Sequence, residues 1–485
     1  STRIYCRPVC RARTPRRDRC RFYTSAAAAE RAGFRPCLRC RPELAPGFSP
    51  TDAADRTARA AVARITEGAL NENGVDVLAR ELGVGARQLR RLVEREIGVS
   101  PVELAQTCRL LLAKRLLSDT ALPVTHVAYA SGFRSLRRFN AMFQSRYRLS
   151  PTVLRRSAAG TPLEVVAGES RETITLTLAY RPPFAWEALL AFLGPRATPG
   201  VEHVGGGTYA RTIGIEGRAG WVALSPDRAS RSRNGAGGGS IRADLSISLL
   251  PVLMPLIARL RALLDLDASP LDIDRHLMGV GLAESVRRLP GLRVPGAVDG
   301  FELAVRAILG QQVTVRGATT LAGRLAKMVG EPIETGHSAL THLPVSAARV
   351  AECSAATLAS IGMPRARAES LRHVARAVAH GTLRLEPGGD AASVARQMVE
   401  LPGIGDWTAQ YVGMRALRWP DAFPASDMGL RKAAGGATPA RLRRMAERWS
   451  PWRAYAAMHL WMGGTILDDE GDESTSRSER RSLGG

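Results

Sequence analysis

No run of apolar residues in this 485-residue chain approaches the roughly 18 needed to cross a bilayer. No basic start followed by an apolar stretch marks a secretory signal. A soluble, cytoplasmic protein with no membrane partner is therefore expected. None of the eight histidines is followed by x-Glu. That removes the proton shuttle of a zinc nucleobase deaminase, although Pro36-Cys37-x-x-Cys40 matches the other half of its signature. Cysteines are few and odd in number, seven. In a reducing compartment, close Cys pairs point to metal or reactive thiols rather than disulfides. Apart from two similar helix pairs, no unit repeats along the chain, which excludes solenoids and propellers.

What is present is positive charge. The net charge is +23 and the sequence pI about 10.9. The excess is concentrated in residues 1–156, where nearly every cation is Arg. Arg forks onto phosphates and stacks on bases. A solubility surface in an Arg-rich proteome is the plain alternative. A polyanion, DNA or RNA, is the expected partner. Hydrophobic residues make up 45 % of the chain, enough to bury sizeable cores.

The pattern divides the chain. Residues 1–48 are Cys- and Arg-rich and close on Pro46-Gly47. Residues 52–157 have helical periodicity punctuated by Gly. Residues 163–250 alternate as strands, as in Glu172 to Leu178 and Ala243 to Ser248. A Gly/Ser/Arg loop from Ser230 to Ser240 interrupts them. Residues 251–463 return to helix periods. The polar tail, 464–485, reads as disordered.

Cys6-x3-Cys10 and Cys37-x2-Cys40 offer four thiolates at tight spacing, a set that can close a tetrahedron around one zinc. So short a segment has too little core to fold alone, and a metal would supply the stability. Cys20, Cys108 and Cys353 have no near partner and read as ordinary small or buried residues. Further on, two helix–turn–helix units follow one another. Val75 to Val84 precedes Ala86 to Leu92, and Val124 to Phe133 precedes Ser135 to Phe143. Each second helix carries paired Arg outward, so it can lie in a major groove; a plain helical bundle is the alternative. The groove-facing candidates are Arg87, Gln88, Arg90 and Arg91, then Ser135, Arg137, Arg138 and Asn140. A long helix, Pro101 to Leu117, joins the units.

The sharpest motif is Leu401-Pro402-Gly403-Ile404-Gly405-Asp406-Trp407-Thr408. Its glycines permit a hairpin between helices whose N–H groups can hold a DNA phosphate. Twenty-two residues after Gly405 comes Asp427, in Phe423-Pro424-Ala425-Ser426-Asp427.

The segment from Ile4 to Pro42, with its four paired cysteines, resembles the zinc domain of the Ada family. That resemblance implies that Cys6 accepts a methyl group from a DNA methylphosphotriester, and that Cys6, Cys10, Cys37 and Cys40 hold one zinc. Only five residues precede Cys6, fewer than in the family, so an N-terminally shortened domain is expected. Residues 57–156 resemble the AraC-type DNA-binding domain. Residues 163–463 resemble the AlkA-type 3-methyladenine glycosylases of the helix–hairpin–helix superfamily. The implied fold is multidomain and mainly α: a small four-cysteine zinc domain, a double helix–turn–helix, an α+β domain, and an all-α glycosylase domain.

The resemblance to the glycosylases places the catalytic carboxylate at Asp427. It places base-pocket aromatics at Trp407, Tyr411 and Trp461, and the gap-filling side chain at Gln312. Gly403, Gly405 and Thr408 fall in the DNA-holding hairpin. Where lyase relatives carry a Schiff-base lysine stands Trp407, so a monofunctional hydrolase without a cofactor is expected. No Cys in a Pro-Cys-His-Arg setting marks the family's second methyltransferase module. Cationic alkylpurines such as 3-methyladenine and 7-methylguanine have weakened glycosidic bonds. Their removal needs base flipping and stabilisation of an oxocarbenium-like sugar more than a strong acid. Methylated Cys6 would lose negative charge and favour DNA, switching the chain to an activator of the adaptive response. Damaged and promoter DNA are the expected partners, with RNA polymerase a further one, for a monomer at the bacterial nucleoid. The competing reading is a zinc-dependent transcription factor whose C-terminal part only binds DNA.

Overall fold

The computed structural model describes residues 3–6, 10, 20–23, 25–38, 42, 56–158, 173–227 and 239–463. Cys40, residues 163–172, most of the Ser230–Ser240 loop and the tail 464–485 lie outside the described residues. No helix among the described residues is long and apolar enough to cross a membrane.

At the N-terminus β1 (Ile4–Tyr5) pairs in parallel with β2 (Arg35–Pro36), and α1 (Ala26–Arg31) lies between them in sequence. Ser25 caps α1, accepting from Ala28 N at 3.1 Å, and its own hydroxyl donates to the Ile97 carbonyl at 2.9 Å. Glu30 is buried beside it. Its carboxylate accepts from Tyr5 and from Thr107, each at 3.1 Å. Burial pushes the Glu30 carboxyl up to about 7, against the pull of Arg146.

Seven helices follow: α2 (Arg56–Thr66), α3 (Val75–Glu81), α4 (Ala86–Ile97), α5 (Pro101–Asp119), α6 (Val124–Ala130), α7 (Leu136–Tyr147) and α8 (Pro151–Ala158). The expected pairs are α3–α4 and α6–α7, turning at Gly83 and Gly132. α4 buries Leu89, Val93 and Ile97. α7 buries Phe139, Phe143 and Tyr147, whose rings pack at 5.5 and 4.6 Å. This i, i+4, i+8 stripe leaves the opposite face polar. α5 starts at a Ser100–Glu103 capping box and runs to Asp119, two residues past the expected end.

The sheet comprises β3 (Thr173–Tyr180), β4 (Glu202–Gly205), β5 (Thr208–Ile215), β6 (Arg218–Pro226) and β7 (Gly239–Ser246). Its order is β3-β7-β6-β5-β4, antiparallel throughout. Alternation buries Ile174, Leu176 and Leu178 of β3. The expected strand to Ser248 stops at Ser246, and Ile247–Val252 forms a 3-10 turn. There, hydroxyls replace the ladder: Ser246 Oγ accepts from Trp221 N at 3.0 Å, and Ser248 Oγ donates to Ala219 O at 2.7 Å. Helix α9 (Trp186–Leu193) joins β3 to β4 and buries Trp186, Leu189, Leu190, Phe192 and Leu193.

The remainder is helical: α10 (Leu253–Leu263), α11 (Pro270–Leu277), α12 (Ala283–Arg288), α13 (Gly300–Leu309), α14 (Val315–Val329), α15 (Ala347–Glu352), α16 (Ala355–Ala359), α17 (Arg365–Ala379), α18 (Ala391–Val399), α19 (Asp406–Arg415), α20 (Met428–Ala433), α21 (Pro439–Ala446) and α22 (Arg453–Trp461). One apolar core runs from α5–α8 through the sheet into α10–α12 and α20–α22; a second fills the space among α13–α19. Asn71 ties helix α5 to α10. It accepts from Arg109 Nε at 2.7 Å and donates to Met254 Sδ at 3.2 Å.

A buried ion pair fastens the sheet to α13. Arg211 of β5 is 2 % exposed and donates to Glu302 at 2.6 Å, with Glu202 at 3.7 Å on its other side. Removing one partner of such a cluster strands the others without a counter-charge. Arg211→Met is expected to cost about 3–5 kcal/mol of stability, read from the urea midpoint of the whole chain.

Candidate active site

The hairpin forms where the sequence places it. α18 ends, Leu401 to Gly405 turn, and α19 begins with Gly405 as its N-cap. No side chain caps α19, so the N–H groups of its first turn are open to a phosphate. Gly403 has φ +79°, and a Cβ there would stand 1.9 Å from Ser370 Oγ. Gln311 braces the turn, donating to Gly403 O and to Thr408 Oγ1, both at 3.1 Å. Gln312, by contrast, is exposed, with φ +55° and the exposed Val313 beside it.

Asp427 is the N-cap of α20. Its Oδ1 accepts from Leu430 N at 3.0 Å and from Trp461 Nε1 at 2.9 Å, while Oδ2 accepts from Trp407 Nε1 at 2.9 Å. Three donors from three helices thus fix both oxygens. Two residues on, Gly429 leaves room: a Cβ there would lie 3.0 Å from Asp427 Oδ1 and 3.3 Å from Trp461 Cδ1. Trp407 and Tyr411, one turn apart on α19, stack at 5.3 Å and 11°; Trp461 meets Tyr411 edge-on at 6.2 Å. The structure brings together all four residues that the sequence pointed to.

These groups line a cavity of about 1020 Å³, with Gln312, Gly403, Gly405 and Thr408 among its lining. Among the described residues no lysine lines it. No sequence signal marks the part of the lining that α9 and the turn after it supply. Phe192 lies 6.1 Å from Trp461, and the Arg196 guanidinium sits 3.9 Å over the Phe192 ring. Arg415 lines the same cavity. It donates to Pro295 O at 2.7 Å, Gly296 O at 3.2 Å and Tyr411 Oη at 2.6 Å. Burial alone would raise the Tyr411 phenol, but the guanidiniums of Arg415, Arg196 and Arg306 outweigh it and hold it below its ordinary range. His459, next to the aromatic cluster in sequence, is buried against Ser285 at 3.1 Å. Burial pushes its imidazole down to about 4, so it is neutral and structural.

Two other clusters matter. The sulfurs of Cys6, Cys10 and Cys37 lie within 4.8 Å of one another. Three soft thiolates at this distance fit a zinc ion; Cys40 lies outside the described residues. Cys6 is exposed, Cys10 half-buried and Cys37 buried. Of the remaining cysteines, Cys108 is packed in helix α5, where burial pushes its thiol up to about 11. On the helix pairs, Arg87, Gln88, Arg90 and Arg91 of α4 are exposed, as are Ser135, Arg137, Arg138 and Asn140 at the start of α7. Ser135 also caps α7, accepting from Arg138 N at 3.3 Å.

Gly403→Ala would meet both a clash and a left-handed backbone. A loss of about 1–3 kcal/mol is expected in urea unfolding. Ser370→Ala in the same chain should recover only part of it, because the positive φ remains.

Four family models match the chain: the metal binding domain of Ada at residues 1–43, a helix-turn-helix domain at 78–157, the AlkA N-terminal domain at 175–299, and the HhH-GPD superfamily base excision DNA repair protein at 305–452. The chain is 39 % identical over 466 residues to the probable bifunctional transcriptional activator/DNA repair enzyme AlkA of Mycobacterium tuberculosis (strain CDC 1551 / Oshkosh), covering 95 % of this chain and 91 % of the relative. It is 37 % identical over 285 residues to DNA-3-methyladenine glycosylase 2 of Escherichia coli (strain K12), covering 59 % of this chain and 96 % of that one. Among solved structures, a 3-methyladenine DNA-glycosylase from Archaeoglobus fulgidus shares the fold, with a TM-score of 0.50 and 21 % identity over 59 % of this chain and 97 % of that one. With a zinc-binding, a helix–turn–helix and two glycosylase segments in one polypeptide, the chain belongs to the family of the bifunctional transcriptional activator/DNA repair enzyme AlkA.

Proposed function

We propose that this chain is a DNA-3-methyladenine glycosylase and a DNA-binding transcriptional regulator in one polypeptide, with Asp427 as the catalytic carboxylate. The observation that carries this reading is the Asp427 carboxylate, oriented by two indole N–H groups at an aromatic cavity beside a phosphate-holding hairpin. The hairpin would grip the backbone of duplex DNA through the first turn of α19. Gln312, exposed at the cavity rim, would fill the gap left by the extruded nucleotide. The base would enter against the stacked Trp407–Tyr411 pair and Trp461, whose faces attract a cationic alkylpurine by about 0.5–2 kcal/mol each. As the C1′–N bond breaks, the base leaves with the bonding pair. Positive charge develops on the sugar beside Asp427, and water adds at C1′. With no lysine amine lining the cavity among the described residues, hydrolysis proceeds without a covalent intermediate.

At the other end, exposed Cys6 would accept the methyl group. Its sulfur bonds to the methyl carbon, the methyl–oxygen bond breaks, and the phosphodiester leaves with the pair. Zinc, held by Cys6, Cys10, Cys37 and Cys40, would keep the thiol deprotonated. Methylation removes one negative charge near DNA, which favours binding. The exposed Arg87, Gln88, Arg90, Arg91, Arg137, Arg138 and Asn140 would then enter major grooves at a promoter, beside RNA polymerase, in the cytoplasm. The domains of this reading are 1–48, 52–157, 163–250 and 251–463, acting in a monomeric chain.

Two measurements follow. The wild-type chain should release 3-methyladenine from alkylated duplex DNA. Asp427→Asn, which sets an NH₂ group where an acceptor was needed, should lower the rate on the order of 10²–10³-fold. No release at any salt concentration would contradict the reading. Separately, Cys6→Ser should abolish uptake of labelled methyl from methylphosphotriester DNA while base release persists.

A further inference from the structure

The cavity is electrically mixed. Asp427 supplies the negative charge. Three guanidiniums, those of Arg196, Arg306 and Arg415, also line the cavity and act on the Tyr411 hydroxyl, Arg415 at 2.6 Å. Aromatic walls suit a cationic base, yet three cations in the lining oppose it. A base is reconciled with them only by presenting a hydrogen-bond acceptor.

The geometry supplies the matching donors. Arg415 is held in place: Nε, Nη1 and Nη2 each have one acceptor, and one of these is Tyr411 Oη. The Tyr411 oxygen therefore accepts a hydrogen bond from Arg415, and the Arg196 guanidinium is among the charges that act on it. With its oxygen used as an acceptor, the phenol keeps its own O–H to donate. Neighbouring cations make it a stronger donor. Arg196 gives Nη1 to the Phe192 carbonyl at 2.9 Å and lies over the Phe192 ring, which holds it at the cavity wall. Arg306 binds Thr319 at 3.1 Å through Nη2, while its buried Nη1 has no acceptor among the described residues.

We propose that the Tyr411 hydroxyl and the Arg196 guanidinium form a donor edge that reads a carbonyl oxygen on the extruded base. This deepens the glycosylase reading and rests on it. A purine with a carbonyl at position 6, the guanine or hypoxanthine type, gains hydrogen bonds there. The adenine type turns an amino group toward the same donors and gains none. Specificity at this edge is then set by residues that do not touch the breaking bond.

The test uses one methylated duplex DNA that carries both 3-methylguanine and 3-methyladenine. These lesions share the alkylation site and the cationic charge. Release of each base is followed chromatographically for the wild-type chain, Tyr411→Phe, Arg196→Met and Arg196→Lys. Tyr411→Phe keeps the ring that stacks on Trp407 and removes only the hydroxyl. The expected result is a fall in kcat/KM for 3-methylguanine roughly 10–100-fold larger than that for 3-methyladenine in Tyr411→Phe and Arg196→Met, with partial recovery in Arg196→Lys. Equal falls for both bases would overturn the donor edge and leave the glycosylase reading intact. Release of neither base by the wild-type chain would overturn both.

Discussion

Both oxygens of one carboxylate are held by indole N–H groups, and the active end of this molecule is arranged around that constraint. Asp427 accepts from Trp407 of α19, Trp461 of α22 and the backbone of α20. Moving any one of these helices would break a hydrogen bond to a charged group, each worth about 1.5–3 kcal/mol. The same indoles that aim the carboxylate also wall the cavity. Carboxylate positioning and the proposed base recognition therefore use one set of side chains, and the hairpin leads directly into the helix carrying Trp407. Gly429 shows how tight the arrangement is, because a methyl group there would press on the carboxylate and on Trp461.

The α+β part is not a spacer. Its helix α9 and the turn after it deliver Phe192 and Arg196 to the cavity lining, and the buried Arg211–Glu302 pair fixes the sheet against α13. The cavity is thus completed across two segments of the chain. Arg415 joins them, bonding to Tyr411 on its own helix and lying 5.2 Å from the centre of the Phe192 ring of α9.

Local patterns are readable in the sequence. Gly403 announces a hairpin because a left-handed turn favours glycine. Asp427 is legible through the resemblance to the glycosylases, which implies a catalytic carboxylate there. The two helix–turn–helix units are legible from apolar spacing, with Phe139, Phe143 and Tyr147 four residues apart. Phe192, Arg196 and Arg415 are not legible. They converge only in three dimensions, and a single Arg carries no signal in a chain so rich in Arg. β7 ends two residues earlier than its pattern suggests, for a local reason. Alternation continues through Ile247 and Ser248, but the serine hydroxyls satisfy the neighbouring strand and let the chain turn. Cys6, Cys10 and Cys37 are legible because metal ligands keep fixed spacing.

The claim on which the account turns is that Asp427 stabilises positive charge on the sugar. It is tested most directly by comparing the affinity of the whole chain for two duplexes. One carries a neutral tetrahydrofuran abasic site, the other a protonated pyrrolidine that mimics the charge of the transition state. At least about 100-fold tighter binding of the cationic analogue is expected, with the preference lost in Asp427→Asn. Equal affinity for the two duplexes in the wild-type chain would contradict it.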